Sequence, residues 1–133
     1  MEINAKKLLM ALVMVLMGLT AGAQNYVGTL EVSGYTRRDV EVNLAKTPQG
    51  KAVLKMFKVK FARMMPVKVD VDIPDVTLQH GTIKGDGITP VSDGKPYEKF
   101  RVTKLDGKAD VRQLSFSCMM GDKPVKFSGK RKK

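Results

Sequence analysis

The side chains that most often carry out chemistry are scarce in this chain. Among 133 residues there is one Cys, Cys118, and one His, His80, so a Cys-His pair or a metal site would have to use its only candidates. His80 precedes Gly81 without the spacing of a Ser-His-Asp triad, and Cys118 alternates with apolar residues. We expect a structural or exposed His80 and a small, buried Cys118, with a reactive or disulfide-forming thiol as the alternative.

The carboxylates and the glycine-rich segments also lack a recognisable catalytic or metal-binding pattern. Asp70 and Asp72 are predicted to face water on a strand, with Asp75 in the turn that follows, and they lack the loop Gly and terminal Glu of a calcium loop. The segment 84–87 looks like a phosphate loop but lacks the G-x-x-x-x-G-K-[ST] pattern. These patterns predict a protein that is not an enzyme and has no metal or cofactor.

The N-terminal segment has the features of a signal peptide. Lys6 and Lys7 precede an uncharged run over residues 8–19, and Ala21-Gly22-Ala23 is the small-x-small pattern that precedes cleavage, here before Gln24. The apolar run of 12 residues is shorter than the roughly 20 residues of a membrane-spanning helix. We expect an exported protein, periplasmic or extracellular, with residues 1–23 as signal peptide and no transmembrane segment in the mature chain. A retained N-terminal anchor is the alternative.

Basic residues are in large excess. Lys and Arg number 24 against 13 Asp and Glu, a net charge of +11 of which +10 falls on residues 24–133. Such charge attracts polyanions, but with no Trp, three Tyr and five Phe the chain offers few aromatic platforms for bases, so we do not expect nucleic acid as the partner. Three interpretations of the basic residues remain: lysines that are simply solvated, contact with anionic lipid head groups, and contact with acidic glycans. The candidate contacts lie near the C-terminus: Lys126, Lys130, Arg131, Lys132 and Lys133.

The positions of apolar residues predict a β-protein. From Gln24 onward there are 14 Val against 6 Leu, and apolar residues alternate with polar ones, as on strands with one buried face. Turn residues, among them Pro74-Asp75 and Asp106-Gly107, separate the runs. The pattern favours one all-β domain over residues 24–133, a small antiparallel up-and-down barrel. Eight strands are predicted, over residues 26–33, 40–44, 51–61, 67–73, 76–80, 99–105, 114–120 and 125–127.

The order of these motifs resembles a known class of secreted domains. The mature chain starts with Tyr26-Val27-Gly28-Thr29-Leu30-Glu31-Val32 and closes on Val125-Lys126-Phe127-Ser128-Gly129. This is similar to the calycin-like (lipocalin-like) β-barrel domains of secreted bacterial proteins, which begin with Y-x-G-x-L-x-V and end on an F-T-G-like strand. The resemblance implies an eight-stranded barrel around a central cavity that holds small apolar ligands, and it transfers no catalytic residue. The Trp of the lipocalin G-x-W motif is missing after Gly28.

Two functional hypotheses follow. The first is an exported binding protein for a small apolar or amphiphilic ligand. The second is a module that docks anionic envelope components or a protein partner through its basic residues. A barrel of this size is either filled by its own side chains or holds one small ligand, and the pattern leaves both open. The candidate lining residues are Val42, Leu44, Phe57, Val59, Phe61, Val69, Val71, Phe100, Val102 and Phe116.

Overall fold

The computed structural model describes residues 23–60 and 67–132. These residues form ten strands and a 3₁₀ turn at Glu98–Phe100. Within the described ranges, no helix has the length and apolar character needed to cross a membrane. The strands are β1 (Ala23–Val32), β2 (Tyr35–Thr47), β3 (Lys51–Val59), β4 (Val69–Gln79), β5 (Thr82–Gly85), β6 (Val91–Ser92), β7 (Lys95–Pro96), β8 (Val102–Ala109), β9 (Gln113–Met120) and β10 (Lys123–Arg131).

Eight of the strands close into a barrel. Each of β1 to β4 pairs antiparallel with the next strand, β5 pairs with β8, β8 with β9 and β9 with β10, and β10 returns to pair with β1. The short strands β6 and β7 form a hairpin beside β4. The predicted fold class, a small antiparallel up-and-down barrel, is confirmed, and it is the architecture that the calycin resemblance implies.

The barrel has two distinct ends. The end that carries the β6–β7 hairpin also carries the β1–β2 and β9–β10 turns, and it is called the hairpin end. The end at which β1 begins and β10 finishes carries the β2–β3, β4–β5 and β8–β9 turns, and it is called the terminal end.

Apolar side chains that alternate with polar ones along the strands point inward and fill the barrel between these two ends. In β9, Leu114, Phe116, Cys118 and Met120 are buried, whereas Ser115 and the other residues between them are more exposed. The ring of Phe116 stacks on that of Phe127 with 5.6 Å between centroids. An eight-stranded barrel is only wide enough for its own side chains or one small ligand, and here 23 buried apolar residues form a continuous core.

One predicted turn and one predicted strand boundary are wrong. Pro74 and Asp75 do not end a strand but lie within β4, where they together face the single residue Val53. Asp75 has a φ of 59°, and the resulting bulge accommodates a proline that could not donate to the ladder. The runs 67–73 and 76–80 are therefore one strand, and the strand missing from the prediction is β5.

A second bulge reverses the predicted faces of β3. Lys58 has a φ of 52°, and its N–H donates to the Asp70 carboxylate at 2.8 Å, so that Phe57 and Lys58 together face one residue of β4. Met56 and Val59 consequently both point inward. Phe57, predicted to line the interior, lies instead on the outer face, with the Lys55 ammonium 5.6 Å from the centroid of its ring.

A second predicted turn, at Asp106-Gly107, is also wrong. Asp106 and Gly107, expected to form a turn, lie inside β8, where Gly107 is opposite Phe116. A Cβ at Gly107 would approach the Phe116 Cβ to 2.6 Å, so glycine is required by close packing between strands and not by a turn.

Barrel closure depends on a pair of facing glycines. Gly28 of β1 lies directly opposite Gly129 of β10. A Cβ on Gly28 would collide with the carbonyl oxygen of Ser128, and a Cβ on Gly129 would lie 2.6 Å from the ring of Phe127. The two backbones approach closely at this point because neither residue carries a side chain.

Replacement of Gly28 by Ala should therefore be strongly destabilising. Backbone atoms cannot move away from the new methyl group without breaking the ladder, and we expect a loss of about 3 kcal/mol in the free energy of unfolding. Gly34→Ala is the control, because nothing lies within 4 Å of that position and only its φ of +81° opposes the change. Its expected loss is about 1 kcal/mol. Equal midpoints of urea denaturation for the two variants would contradict the steric argument.

Candidate functional site

A cavity of about 190 Å³ opens at the hairpin end of the barrel. Its walls come from the start of β4, the end of β9 and the segment that connects β5 to β8. The lining residues are Val69, Val71, Pro90, Ser92, Tyr97, Phe100 and Met120.

The cavity exists because the ladder between β4 and its neighbour is incomplete. On the side away from β3, the last residues of β4, Thr77 to Gln79, pair with β5. On that same side, the earlier part of β4 makes only a single bridge, from Asp72 to Val91 of β6. The gap between this part of β4 and the start of β8 is filled by residues 86–101. Side chains of that segment, not a regular strand, therefore form one wall.

Several hydrogen bonds hold this wall in place. The Ser92 hydroxyl donates to the Asp70 carbonyl at 2.6 Å, and the Thr89 hydroxyl donates to the Glu98 carboxylate at 2.8 Å. Ile88 and Val102 exchange two backbone bonds of 3.0 and 2.7 Å, which tie the segment to β8. A wall fixed by these bonds forms the cavity before any ligand arrives, which reduces the entropy lost on binding.

The cavity is chemically simple. Val69, Val71, Phe100 and Met120 are apolar, and the Ser92 hydroxyl already donates to a backbone carbonyl. Tyr97 is 42 % exposed, so its ring covers one side of the mouth and its hydroxyl is close to water. The lining contains no His, Cys or carboxylate, and its two hydroxyl groups are those of Ser92 and Tyr97. The site is therefore suited to binding an apolar group.

Size limits what the cavity can hold. Sites for drug-sized ligands are typically about 300–1,000 Å³, whereas an apolar cavity of about 150 Å³ can bind benzene. At about 190 Å³, this cavity fits one six-membered ring or a short aliphatic chain.

The structure distributes the predicted lining residues over several places. Val69, Val71 and Phe100 do line the hairpin-end cavity. Leu44 borders a separate pocket at the terminal end, Phe57 faces outward, and Phe61 lies outside the described residues. The others pack inside the filled core: Val42, Val59, Val102 and Phe116.

Four lining residues are absent from the predicted set. Met120 lies on the predicted inner face of β9, and its position there could have marked it. Pro90, Ser92 and Tyr97 belong to a segment without alternation, for which the only signal is the Ser92-Asp93-Gly94 turn. That turn predicts a hairpin but not the end of the barrel that the hairpin covers.

The terminal end is closed by Tyr26. Its hydroxyl lies 2.7 Å from the Asp110 carbonyl oxygen and 2.8 Å from the Gln24 side-chain oxygen. A phenol has one proton, so it donates to Asp110, and the Gln24 amide is best turned to donate its N–H to the phenol. Burial raises the pKa of Tyr26, against a smaller lowering effect of Arg131.

The two residues singled out for chemistry lie apart. His80 is exposed in the β4–β5 turn beside a pocket of about 260 Å³ at the terminal end, and Cys118 is buried in β9. Both placements confirm the expectations from the sequence. Burial raises the pKa of the Cys118 thiol to about 12. Within residues 23–60 and 67–132, no group of three His, Cys, Asp or Glu side chains could hold a metal ion.

The candidate carboxylates form a polar outer face with neighbouring lysines, as predicted. Asp72 lies 3.8 Å from Lys55 and Asp75 lies 3.8 Å from Lys51 across the β3–β4 ladder. These pairs leave the outer face of β3 and β4 nearly neutral.

The candidate basic residues do not form one patch of free charge. Lys126 and Lys130 are exposed on β10, and Arg131 lies at the terminal end near Tyr26. The Lys132 ammonium pairs with Glu41 at 3.1 Å, and Lys133 lies outside the described residues.

No protein-family model, curated protein or solved structure matches this chain. The class is therefore defined by the fold and the site alone: a closed, eight-stranded antiparallel barrel with a filled core and a small apolar cavity at one end.

The buried Cys118 thiol should be nearly unreactive in the folded protein. With a pKa of about 12, only about one thiol in ten thousand is ionised at pH 8, and the thiolate is the reactive species. We expect 5,5′-dithiobis(2-nitrobenzoate) to label the native protein far more slowly than the urea-unfolded protein, which should react with one equivalent. Rapid native labelling, or a disulfide-linked dimer on non-reducing gels, would support the reactive-thiol alternative instead.

Tyr26 should make stability depend on pH in the alkaline range. A pKa raised by folding means that the unfolded chain ionises first, so the contribution is complete below pH 10 and declines as pH rises above it. We expect Tyr26→Phe to lose about 1 kcal/mol at pH 7, from the hydrogen bond to Asp110, and a smaller amount at pH 11. Urea denaturation of both proteins at the two pH values measures this, and a difference that grows with pH would be inconsistent with it.

Proposed function

We propose that the protein is an exported, non-enzymatic barrel of the calycin-like class that binds a small apolar or amphiphilic molecule at the hairpin end. The observation that carries this proposal is the apolar cavity of about 190 Å³ with a wall held by hydrogen bonds. The residues that line this cavity can bury an apolar group, and they include no recognisable set of catalytic residues.

The site accounts for an amphiphilic ligand better than for a purely apolar one. Val71 and Met120 are buried at the inner part of the cavity, whereas Tyr97 is exposed at its mouth. An apolar ring or chain would therefore contact Val71 and Met120, and a hydroxyl or carboxyl group on the same molecule would lie near the Tyr97 hydroxyl and water. This arrangement leaves no polar group of the ligand buried without a partner.

Export rests on the sequence. The basic pair, the 12-residue apolar run and the Ala-Gly-Ala site precede Gln24, and cleavage there would remove only Ala23, the first residue of β1, from the barrel strands. A periplasmic or extracellular binding protein is the function most consistent with this segment and with the cavity together.

The affinity should be modest and limited by size. Each buried methylene contributes about 0.8 kcal/mol, so p-cresol should bind up to about fourfold more tightly than phenol. A 4-hexylphenol tail would project from the mouth of so small a cavity, and we expect little of this gain for its outer methylenes. Isothermal titration calorimetry of the three phenols measures the series.

A variant that fills the cavity provides the specific test. Val69→Phe places a larger side chain in the cavity, and we expect it to weaken p-cresol binding more than tenfold. Leu78→Phe is the matched control, because Leu78 borders the pocket at the opposite end of the barrel. The proposal fails if no phenol gives saturable heat or if the two variants lose affinity equally.

A further inference from the structure

Several basic side chains lie close together on the outer surface of β8, β9 and β10, and we call this surface the basic face. It consists of Lys108, Arg112, Lys126 and Lys130, all of which are exposed. Lys108 is in β8, Arg112 precedes β9, and the other two are in β10. The Arg131 N–H donates to the Arg112 carbonyl at 2.7 Å, which places Arg112 next to the end of β10. Arg131 itself lies opposite the buried Tyr26 at the terminal end.

Few acidic groups offset this charge. Asp106 pairs with Lys84 at 3.1 Å, and Lys84 is not part of the basic face. Glu31 lies opposite Lys126, and Asp110 accepts the N–H groups of Arg112 and Gln113 at 2.7 and 2.9 Å. The four cations thus have two carboxylates beside them, those of Glu31 and Asp110, in addition to the ion pair of Asp106 with Lys84. The outer face of β3 and β4 carries less net charge, because Lys51 and Lys55 form ion pairs with Asp75 and Asp72.

Hydroxyl groups occupy the surface between the cations. Ser115 lies opposite Lys108 on one side and opposite Ser128 on the other, and Ser117 lies opposite Lys126. All three serines are exposed, and with Lys108, Lys126 and Asp106 they line a shallow depression of about 310 Å³, in which Asp106 is already paired with Lys84. At about 3.3 Å per residue, Lys126 and Lys130 are about 13 Å apart along β10, with Ser128 midway between them.

We propose that the basic face binds a linear acidic polysaccharide. Lysine and arginine attract its repeating carboxylates or sulfates, and the serines exchange hydrogen bonds with its hydroxyl groups. The chain would lie along β10, across the shallow depression. This inference is independent of the cavity at the hairpin end.

Two other polyanions fit this surface less well. The exposed large apolar side chains of the described residues are Val67, Tyr97 and Val111, none of which lies in a strand, so these strands offer nothing to insert into a lipid bilayer. The basic face also has no aromatic ring on which a base could stack. An acidic glycan needs only charge and hydroxyl groups, and both are present.

The test compares two triple variants with the same change in net charge. Lys108→Gln/Lys126→Gln/Lys130→Gln alters the basic face, and Lys68→Gln/Lys95→Gln/Lys99→Gln alters lysines near the hairpin end. The probe is polygalacturonate, with uncharged dextran as the polymer control. We expect the first variant to bind at least tenfold more weakly and the second to lose less than threefold. The slope of log affinity against log salt should fall by about 3 in the first variant.

A second variant separates the serines from the charge. Ser115→Ala/Ser128→Ala should weaken polygalacturonate binding severalfold without changing the salt slope, because no cation is removed. Equal losses in the two lysine variants would overturn the proposal, since binding would then follow net charge alone. Binding to phosphatidylglycerol vesicles but not to polygalacturonate would also overturn it and would identify a lipid surface instead.

Discussion

The ladder between β1 and β10 is the constraint on which the rest of the structure depends. It joins the first strand to the last, so the sheet closes on itself and neither β1 nor β10 is left as an edge strand. The ladder forms only because Gly28 and Gly129 allow two backbones to approach where a side chain would collide. Closure at eight strands then fixes the diameter, and with it an interior that side chains alone can fill. The central cavity implied by the calycin resemblance is accordingly replaced by a packed core.

The site arises where this closure is incomplete. Over its first half, β4 lacks a regular partner on the side away from β3, and residues 86–101 cover the opening. Such a segment cannot match the packing of a strand, and the space left behind it is the cavity. The wall is held by hydrogen bonds of the Ser92 and Thr89 hydroxyl groups, which are not part of the barrel ladder. A substitution in the wall therefore changes the cavity and leaves the ladder in place.

How much the sequence predicts depends on whether alternation survives along a strand. In β9 and β10 it is unbroken, and burial follows it residue by residue. In β3 and β4 it fails, because Lys58 and Asp75 adopt positive φ and each adds a residue to one side of the ladder. Phe57 and Val59 would share a face on a regular strand, but the bulge at Lys58 lies between them, so that only Val59 points inward. The cavity could be predicted only in part, since Val69 and Val71 follow a strand pattern whereas Pro90 and Tyr97 reach it through an irregular segment.

The same alternation separates the two proposed functions physically. Inward positions of β8, β9 and β10 are committed to the core, for example Leu114 and Phe127, whereas Ser115 and Lys126 point outward. A change on the outer face therefore alters charge without altering the volume of the core, and a change in the cavity leaves the basic face intact. The excess charge is concentrated on strands whose outer positions carry lysine and serine, and it is offset across β3 and β4, where Lys51 and Lys55 pair with Asp75 and Asp72.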